Sequence, residues 1–304
     1  MGYFLAVDAG GTKAEFLLAD ELRELSRVTV SSIKRLNATA EDAERALNEA
    51  TERLSALTGV NLDQVAYTCI GTSGNTVPLV TDWLRENFKR RIGGSLLILG
   101  DVEIALDAVF PGARGVLVLS GTGSNVAGRG EDGKIGTAGG WGPNLADQGA
   151  GYWIGLEALR RGFLAIDEGK TTELLEKARA LWGLPTIKAL IEVGNAEPKP
   201  RFADLTPLVV ECADAGDAIA REILEKGGRD LAYLAGLVIE RILSAEGARL
   251  GLPPVAIAGS VLGKIARVRE TLMRALREKY RAIEFVVEPS DAVAGALYRA
   301  RRGH

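Results

Sequence analysis

The chain has 304 residues, 47% of them hydrophobic and 25% charged, which is enough to bury one large core or two lobes of a soluble enzyme. The formal net charge is -3 and the basic residues are scattered, which argues against nucleic-acid and membrane-surface partners and favours small molecules. The only histidine is His304, which excludes Ser-His-Asp, Cys-His and His-ligated metal chemistry.

The first hundred residues predict one α/β lobe. Strand-like runs at 3–8 and 14–20 flank the turn AGGTK, and a third strand is expected near residue 30. Apolar residues then recur at helical spacing from 40 to 57. The predicted elements that follow are a strand VAYTCIG (65–71), a helix near 79–89 and a strand SLLILG (95–100).

The same pattern begins again at Gly115. The segment VLVLSGTGSNVAGRG repeats the layout of FLAVDAGGTKAEFLLAD, and KIGTAG is the next predicted strand. Two copies of one βββαβα unit are therefore expected. We predict an N-terminal lobe at 1–112, with a C-terminal helix at about 291–304 packing back on it, and a C-terminal lobe at 113–290.

The C-terminal lobe also carries predicted helical additions. They cover 152–163, 171–181, 205–215 and 217–244, the last interrupted near Gly227 and Gly228 because glycine weakens helices. A strand PVAIAGS and a closing helix follow. The N-terminus runs directly into a strand without the regions of a signal peptide, which predicts a cytoplasmic location.

The first motif with chemical potential is DAGGTK, where a strand ends in a turn without bulky side chains. Backbone amides of such a turn approach phosphate closely, and the residues concerned are Gly10, Gly11, Thr12 and Lys13. It is not a Walker A loop, because GxxxxGK[ST] is absent and a strand follows. Asp8 is the candidate to position Mg²⁺ through water. The alternative interpretation is an ordinary hairpin turn with Asp8 as a turn cap.

The second motif, SGTGSN, lies at the same place in the second unit. Its phosphate-binding candidates are Gly121, Thr122 and Gly123. Two turns of this kind match the requirement of a polyphosphate, whose oxygens need amides, hydroxyls and a bridging cation.

Asp101 follows the strand LLILG, at the end of the strand where α/β sheets carry functional residues. Transfer of a phosphoryl group to an alcohol needs a carboxylate near the attacking oxygen, and no histidine is suitably available. Asp101 is therefore the predicted general base. The alternative is an N-cap for the helix VEIALDAVF, and the two roles are compatible.

The third segment, from Gly139 to Gly149, surrounds one tryptophan with glycines and contains a carboxylate. Gly140, Trp141, Gly142 and Asp147 would give a polar ring an apolar wall and directed acceptors. Alternatively, the tryptophan belongs to the core and Asp147 caps the next helix.

These motifs together resemble a known group. DAGGTK, SGTGSN, GGWG followed by DxGxxYW at 147–153, RFA at 201–203 and AGS at 258–260 occur in the order found in N-acetylglucosamine kinases and BadF/BadG/BcrA/BcrD-type ATPases. The resemblance covers nearly the whole chain. It implies an actin-like ATPase (ribonuclease H-like) fold of the hexokinase and Hsp70 superfamily, with two lobes. It also implies ATP-dependent phosphorylation of an amino sugar such as N-acetylglucosamine, at O6.

The resemblance also assigns residues. Thr12 and Thr122 would contact the ATP phosphates, and Ala203, Gly259 and Ser260 would border the nucleotide. The residues that would hold the sugar are Asn37, Asp101, Ser124, Asn125, Gly140, Trp141, Gly142 and Asp147. ATP and Mg²⁺ would be the cofactors, and a homodimer is expected. Gln148 stands where many relatives are acidic, so glucosamine or another hexose stays open as the substrate.

Two other functions remain open at the sequence level. An iron-sulfur activator ATPase would share the fold but needs clustered thiolates, whereas Cys69 and Cys212 are isolated from each other and form no CxxC pair. A sensor that binds ATP or a sugar without catalysis would not require Asp101.

Overall fold

A computed structural model describes residues 2–247, 250–286 and 291–303. The described chain divides into two compact units. The N-terminal unit contains residues 2–113 together with 291–303, and the C-terminal unit contains the described residues between 114 and 286.

The described residues form ten strands. They are β1 (Tyr3–Ala9), β2 (Lys13–Ala19), β3 (Glu24–Ser31), β4 (Val65–Gly71), β5 (Ser95–Leu99), β6 (Gly115–Ser120), β7 (Ser124–Arg129), β8 (Ile135–Gly139), β9 (Val255–Ala258) and β10 (Phe285–Val286).

Eleven α-helices and two short 3₁₀ helices, Leu62–Gln64 and Phe202–Leu205, complete the described part of the chain. The α-helices are α1 (Ala40–Thr58), α2 (Pro78–Lys89), α3 (Asp101–Val109), α4 (Gly151–Asp167), α5 (Leu174–Leu181), α6 (Ala189–Asn195), α7 (Thr206–Asp214), α8 (Ala218–Glu246), α9 (Ser260–Lys264), α10 (Ala266–Lys279) and α11 (Ala292–Arg302). Over the described ranges, none of these helices combines the length and the apolar character that crossing a membrane requires.

The two units have the same sheet topology. The N-terminal sheet has the order β3-β2-β1-β4-β5, and the C-terminal sheet has the corresponding order β8-β7-β6-β9-β10. In both, the first strand pairs antiparallel with the second and parallel with the fourth. The predicted α/β fold with a duplicated βββαβα unit is confirmed.

This topology brings several loops to one edge of each sheet. In the N-terminal unit β1, β3, β4 and β5 run in the same direction, so the segments after them emerge at a common carboxyl edge. In the C-terminal unit the segments after β6, β8 and β9 do the same. Loops at this edge of an α/β sheet are the usual carriers of function.

Local sequence signals explain how the elements are bounded. Thr39 caps α1 by accepting a hydrogen bond from the Asp42 amide, and Gly59 ends the helix in the left-handed conformation at φ 71°. Ala43, Leu47 and Leu54 form its buried face.

The first sheet is covered on both faces. Leu5 and Val7 of β1 pack in the cluster that contains α1 and α2, whereas Phe4 and Ala6 pack with residues of α11. Helix α11 also lies against α3, where Arg299 pairs with buried Asp107 at 2.6 Å. A Cβ on Gly295 would lie 1.8 Å from the Ile104 carbonyl oxygen, so the close approach of α11 to α3 requires glycine.

The predicted interruption near Gly227 and Gly228 is wrong, because α8 is one continuous helix of 29 residues. Both glycines are buried, and a Cβ on Gly228 would lie 2.6 Å from the Val268 carbonyl oxygen. A Cβ on Gly227 would lie 3.1 Å from Gly149 Cα. These glycines permit close backbone packing and do not mark a break. Helix α6 and strand β10 were not predicted, since each is short.

Candidate active-site residues

The predicted phosphate turn of the N-terminal unit joins β1 to β2 and is held by its neighbours. Ser32 Oγ donates to the Gly10 carbonyl oxygen at 2.7 Å, and Thr72 Oγ1 donates to that of Ala9 at 3.1 Å. A Cβ on Gly10 would lie 2.9 Å from the Lys13 carbonyl oxygen. Gly11, Thr12 and Lys13 are exposed, so the turn is both a hairpin and an accessible group of amides.

Asp8 ends up in an unfavourable environment for a lone negative charge. Burial, together with the nearby carboxyls of Asp101 and Glu15, raises the pKa of Asp8 to about 6, although Lys13 opposes the shift. A cation at this position would relieve both effects.

The residues present fit Mg²⁺ that arrives with a nucleotide. Within the described ranges no group of three or more His, Cys, Asp or Glu side chains is arranged to hold a metal. Mg²⁺ commonly keeps several waters and binds through one or two carboxylates plus substrate phosphates, which matches a site built around Asp8.

Asp101 is the first residue of α3, directly beyond β5. Its Oδ1 accepts a hydrogen bond from the Val102 amide at 2.9 Å, and the Ser73 hydroxyl lies near its carboxyl. Burial raises the pKa of Asp101, whereas the Val102 amide, the charge of Lys34 and the Ser73 hydroxyl act against that shift.

The alternative role of Asp101 as the helix N-cap is wrong. Gly100 is the N-cap residue of α3, and the Glu103 side chain accepts from the Gly100 amide at 3.1 Å. Asp101 therefore does not occupy the N-cap position, although its carboxylate accepts from an amide in the first turn of α3.

Asn37 lies beside the phosphate turn of the same unit. A Cβ on Gly11 would be 3.6 Å from Asn37 Oδ1, and both residues line a groove of about 620 Å³ that also includes Thr12. The structure thus brings together the predicted residues of the N-terminal unit along one sheet edge.

The second phosphate turn is tied to the start of α4. The Gly151 amide donates to the Gly121 carbonyl oxygen at 2.8 Å, and the Tyr152 amide donates to that of Thr122 at 3.2 Å. Thr122 and Gly123 are exposed. The backbone oxygens of the turn are thus occupied by α4, and the Thr122 side chain faces solvent.

The residues predicted to border a nucleotide lie around this turn. A Cβ on Gly121 would be 3.6 Å from Ser260 Oγ, and one on Gly151 would be 3.6 Å from Ala203 Cβ. Gly259 has φ 95°, and a Cβ there would lie 2.2 Å from the Ser120 carbonyl oxygen. Glycine is required at 259 for both reasons.

The sugar-binding candidates of the C-terminal unit also cluster. Ser124 Oγ donates to the Gln148 carbonyl oxygen at 2.9 Å, and a Cβ on Gly123 would lie 2.9 Å from Asp147 Oδ2. A Cβ on Gly140 would lie 2.4 Å from Asn125 Nδ2. The chain around Gly140 and Gly142 needs left-handed conformations, at φ 72° and 96°.

The structure contradicts the alternative interpretations of Trp141 and Asp147. Trp141 is 74% exposed, so it is not a core residue. Asp147 is buried, but the N-cap of α4 is Ala150, so Asp147 does not occupy the cap position.

Two further residues at these edges, Lys34 and Ser73, were missed by the sequence analysis. Lys34 and Ser73 lie beside Asp101, and no motif marks either of them. Gln148 Oε1 and Asn125 Oδ1 are buried oxygens for which the described structure supplies no hydrogen-bond donor. Buried acceptors of this kind normally have a partner, such as an ordered water or a bound polar group.

Comparison with known proteins extends over almost the whole chain. Residues 5–298 match the model of the BadF/BadG/BcrA/BcrD ATPase family, which confirms the predicted resemblance. An N-acetylmuramic acid/N-acetylglucosamine kinase of Clostridium acetobutylicum is 27% identical, with 99% of each chain covered. An N-acetyl-D-glucosamine kinase of Dictyostelium discoideum is 30% identical, with 98% of this chain and 97% of the relative covered.

A solved structure from Chromobacterium violaceum, described as a candidate N-acetylglucosamine kinase, has the same fold. It superposes with a TM-score of 0.75 at 24% identity, covering 98% of each chain.

Proposed function

The chain belongs to the BadF/BadG/BcrA/BcrD ATPase family, and we propose that it is an ATP-dependent sugar kinase. The proposed acceptor is an amino sugar, most simply N-acetylglucosamine, since both curated relatives are named as kinases of such sugars. The observation that carries the proposal is the partly buried Asp101 carboxylate at the same sheet edge as the exposed turn at Thr12.

In the proposed reaction, Asp101 accepts the proton of a sugar hydroxyl, at O6 by family resemblance. The hydroxyl oxygen forms a bond to the γ-phosphorus of ATP, while the bond from that phosphorus to the β,γ-bridging oxygen breaks. The products are the sugar phosphate, ADP and the protonated Asp101, which then releases its proton to solvent. Mg²⁺, positioned through water by Asp8, would neutralise phosphate charge.

The other proposed contacts follow the clusters described above. Thr12, Thr122 and the adjacent glycine amides would bind the phosphates, with Ala203, Gly259 and Ser260 bordering the nucleotide. Asn37, Ser124, Asn125 and Asp147 would hydrogen-bond the sugar, and exposed Trp141, between Gly140 and Gly142, would give it an apolar wall. A cytoplasmic location and a homodimer stay predictions.

The structure offers no support for the activator ATPase alternative. Cys69 is buried in β4, where burial raises its pKa to about 12, and Cys212 is buried in α7. Both thiols are thus poorly suited to act as the exposed thiolates that hold an iron-sulfur cluster.

The proposal is tested by ADP release from Mg·ATP with N-acetylglucosamine, glucosamine, N-acetylmannosamine, glucose or N-acetylmuramic acid. We expect turnover that depends on the sugar and is fastest with an N-acetylated one. ADP release at one slow rate with every sugar would contradict a sugar kinase and favour an ATPase or a sensor.

The role of Asp101 is tested with Asp101→Asn in the same assay. We expect kcat to fall by about 10²- to 10⁴-fold, the usual contribution of a general base. Asp82→Asn is the matched control, since Asp82 is a 74% exposed aspartate in α2 of the same unit. Near-normal kcat in Asp101→Asn would eliminate Asp101 as the base.

A further inference from the structure

Lys34, Ser73 and Asp101 meet at the carboxyl edge of the N-terminal sheet. Lys34 follows the end of β3 by three residues, and Ser73 and Asp101 each follow the end of their strands by two. The three strands run in the same direction, so three distant sequence segments converge there.

The three side chains lie next to one another. Lys34 Nζ donates to Ser73 Oγ, and the Ser73 hydroxyl lies near the Asp101 carboxyl, where it opposes the rise of the Asp101 pKa. An ammonium group has only donors, so Ser73 is the acceptor in the first bond. The single hydrogen of the Ser73 hydroxyl is not used in that bond, so it can be donated to Asp101.

The Val102 amide and the Ser73 hydroxyl approach the Asp101 carboxylate from two elements. Asp101 Oδ1 accepts from the Val102 amide at 2.9 Å. Donation from Ser73, in the loop after β4, would add a side-chain restraint to this backbone restraint, and Lys34 in turn bonds to Ser73.

Positively charged side chains are favourable at this edge, because two carboxylates lie there. Asp8 and Asp101 are close enough to repel each other, and both are partly buried. The positive charge of Lys34 acts on Asp101 from the loop after β3, while that of Lys13 acts on Asp8. Lys34 therefore offsets part of the repulsion that the Asp101 carboxylate experiences.

We propose that Lys34 and Ser73 are positioning residues that hold the Asp101 carboxylate in the orientation needed to accept the proton of the sugar hydroxyl. This inference rests on the proposed sugar kinase function. It adds two residues to the reaction that neither motif nor resemblance identifies.

The test uses Lys34→Met and Ser73→Ala, each alone and combined with Asp101→Asn. In the single variants we expect kcat to fall by about 10- to 100-fold, as misplacement of a catalytic group does, with a smaller change in the KM for the sugar. In the Asp101→Asn background neither substitution should lower kcat further, because its effect passes through Asp101. Residual phosphoryl transfer in the double variants is measured with radiolabelled ATP.

Lys89→Met is the matched control, because it removes an exposed lysine at the end of α2 in the same unit and should retain normal kcat. Thermal unfolding of each variant checks that it is folded. Ser73→Ala removes one hydroxyl and tests the inference even if Lys34→Met is unstable.

Each result has a distinct meaning. Equal fold losses with and without the Asp101 carboxylate, or normal kcat in both single variants, would overturn the positioning role while leaving the sugar kinase intact. Absence of sugar-dependent turnover in the unaltered protein would overturn the proposed function and this inference with it.

Discussion

At the residue scale, Asp8 links stability to the proposed chemistry. Its pKa rises from the ordinary value of 3.8 to about 6 in the folded protein. Between pH 3.8 and about pH 6, Asp8 keeps its proton in the folded state but has lost it in the unfolded state. The contribution of Asp8 to the free energy of unfolding therefore falls as pH rises from about 4 to 6 and stays low above that range. The protein retains a destabilising carboxylate where a cation is expected to bind.

Asp8→Asn should therefore stabilise the folded protein at pH 8 while impairing kinase turnover. One pKa unit corresponds to about 1.4 kcal/mol, so the free energy of unfolding should rise by up to about 3 kcal/mol. The gain should shrink toward pH 4, where the folded state of the unaltered protein already has a protonated Asp8. Urea unfolding of Asp8→Asn and of the unaltered protein at several pH values measures this gain in the free energy of unfolding.

Asp63→Asn provides the control, because Asp63 is exposed in the same unit. It should leave the free energy of unfolding nearly unchanged at each pH. A gain from Asp8→Asn that did not vary with pH would contradict titration of a buried carboxyl as its source.

At the element scale, the glycines inside α8 have low helix propensity, yet close packing requires glycine at some of these positions. A Cβ on Gly228 would lie 2.6 Å from the Val268 carbonyl oxygen and 2.8 Å from Thr271 Cβ. On Gly236 of the same helix, the nearest atom to a Cβ would be Tyr280 Oη at 3.5 Å, an ordinary contact. Only the first glycine is required by a close approach of α10.

Gly228→Ala should destabilise the protein, and Gly236→Ala should not. In a helix, Ala is favoured over Gly by about 0.5–1 kcal/mol, so Gly236→Ala should be neutral or stabilising by that amount. Gly228→Ala must displace α10 and should lower the free energy of unfolding by about 1–3 kcal/mol. Urea unfolding of the two variants decides this, and equal effects would contradict the packing explanation.

At the scale of the whole molecule, one topology occurs twice and each copy presents a turn after its first strand. The N-terminal copy adds Asp8, Asn37 and Asp101 at its carboxyl edge, and the C-terminal copy adds the loop with Trp141 and Asp147. The duplicated units thus carry different chemical groups on the same framework.

Metal dependence is a prediction for the whole protein. Since Asp8 is the single carboxylate proposed to position Mg²⁺, the ion should bind weakly to the protein alone and much more tightly with ADP. Calorimetric titration of Mg²⁺ with and without ADP tests this, and excess EDTA should abolish turnover until Mg²⁺ is restored. Tight Mg²⁺ binding without nucleotide would contradict a nucleotide-borne ion.

The duplicated α/β fold, the family and the candidate turns could all be predicted from the sequence. Strand periodicity and the repeat of DAGGTK by SGTGSN are local patterns, so they are legible without contacts. The tertiary structure alone decided that Gly227 and Gly228 lie within a continuous helix, because their neighbours come from distant segments. It alone brought Lys34 and Ser73 to Asp101, since parallel strands join at one edge segments that no sequence spacing relates.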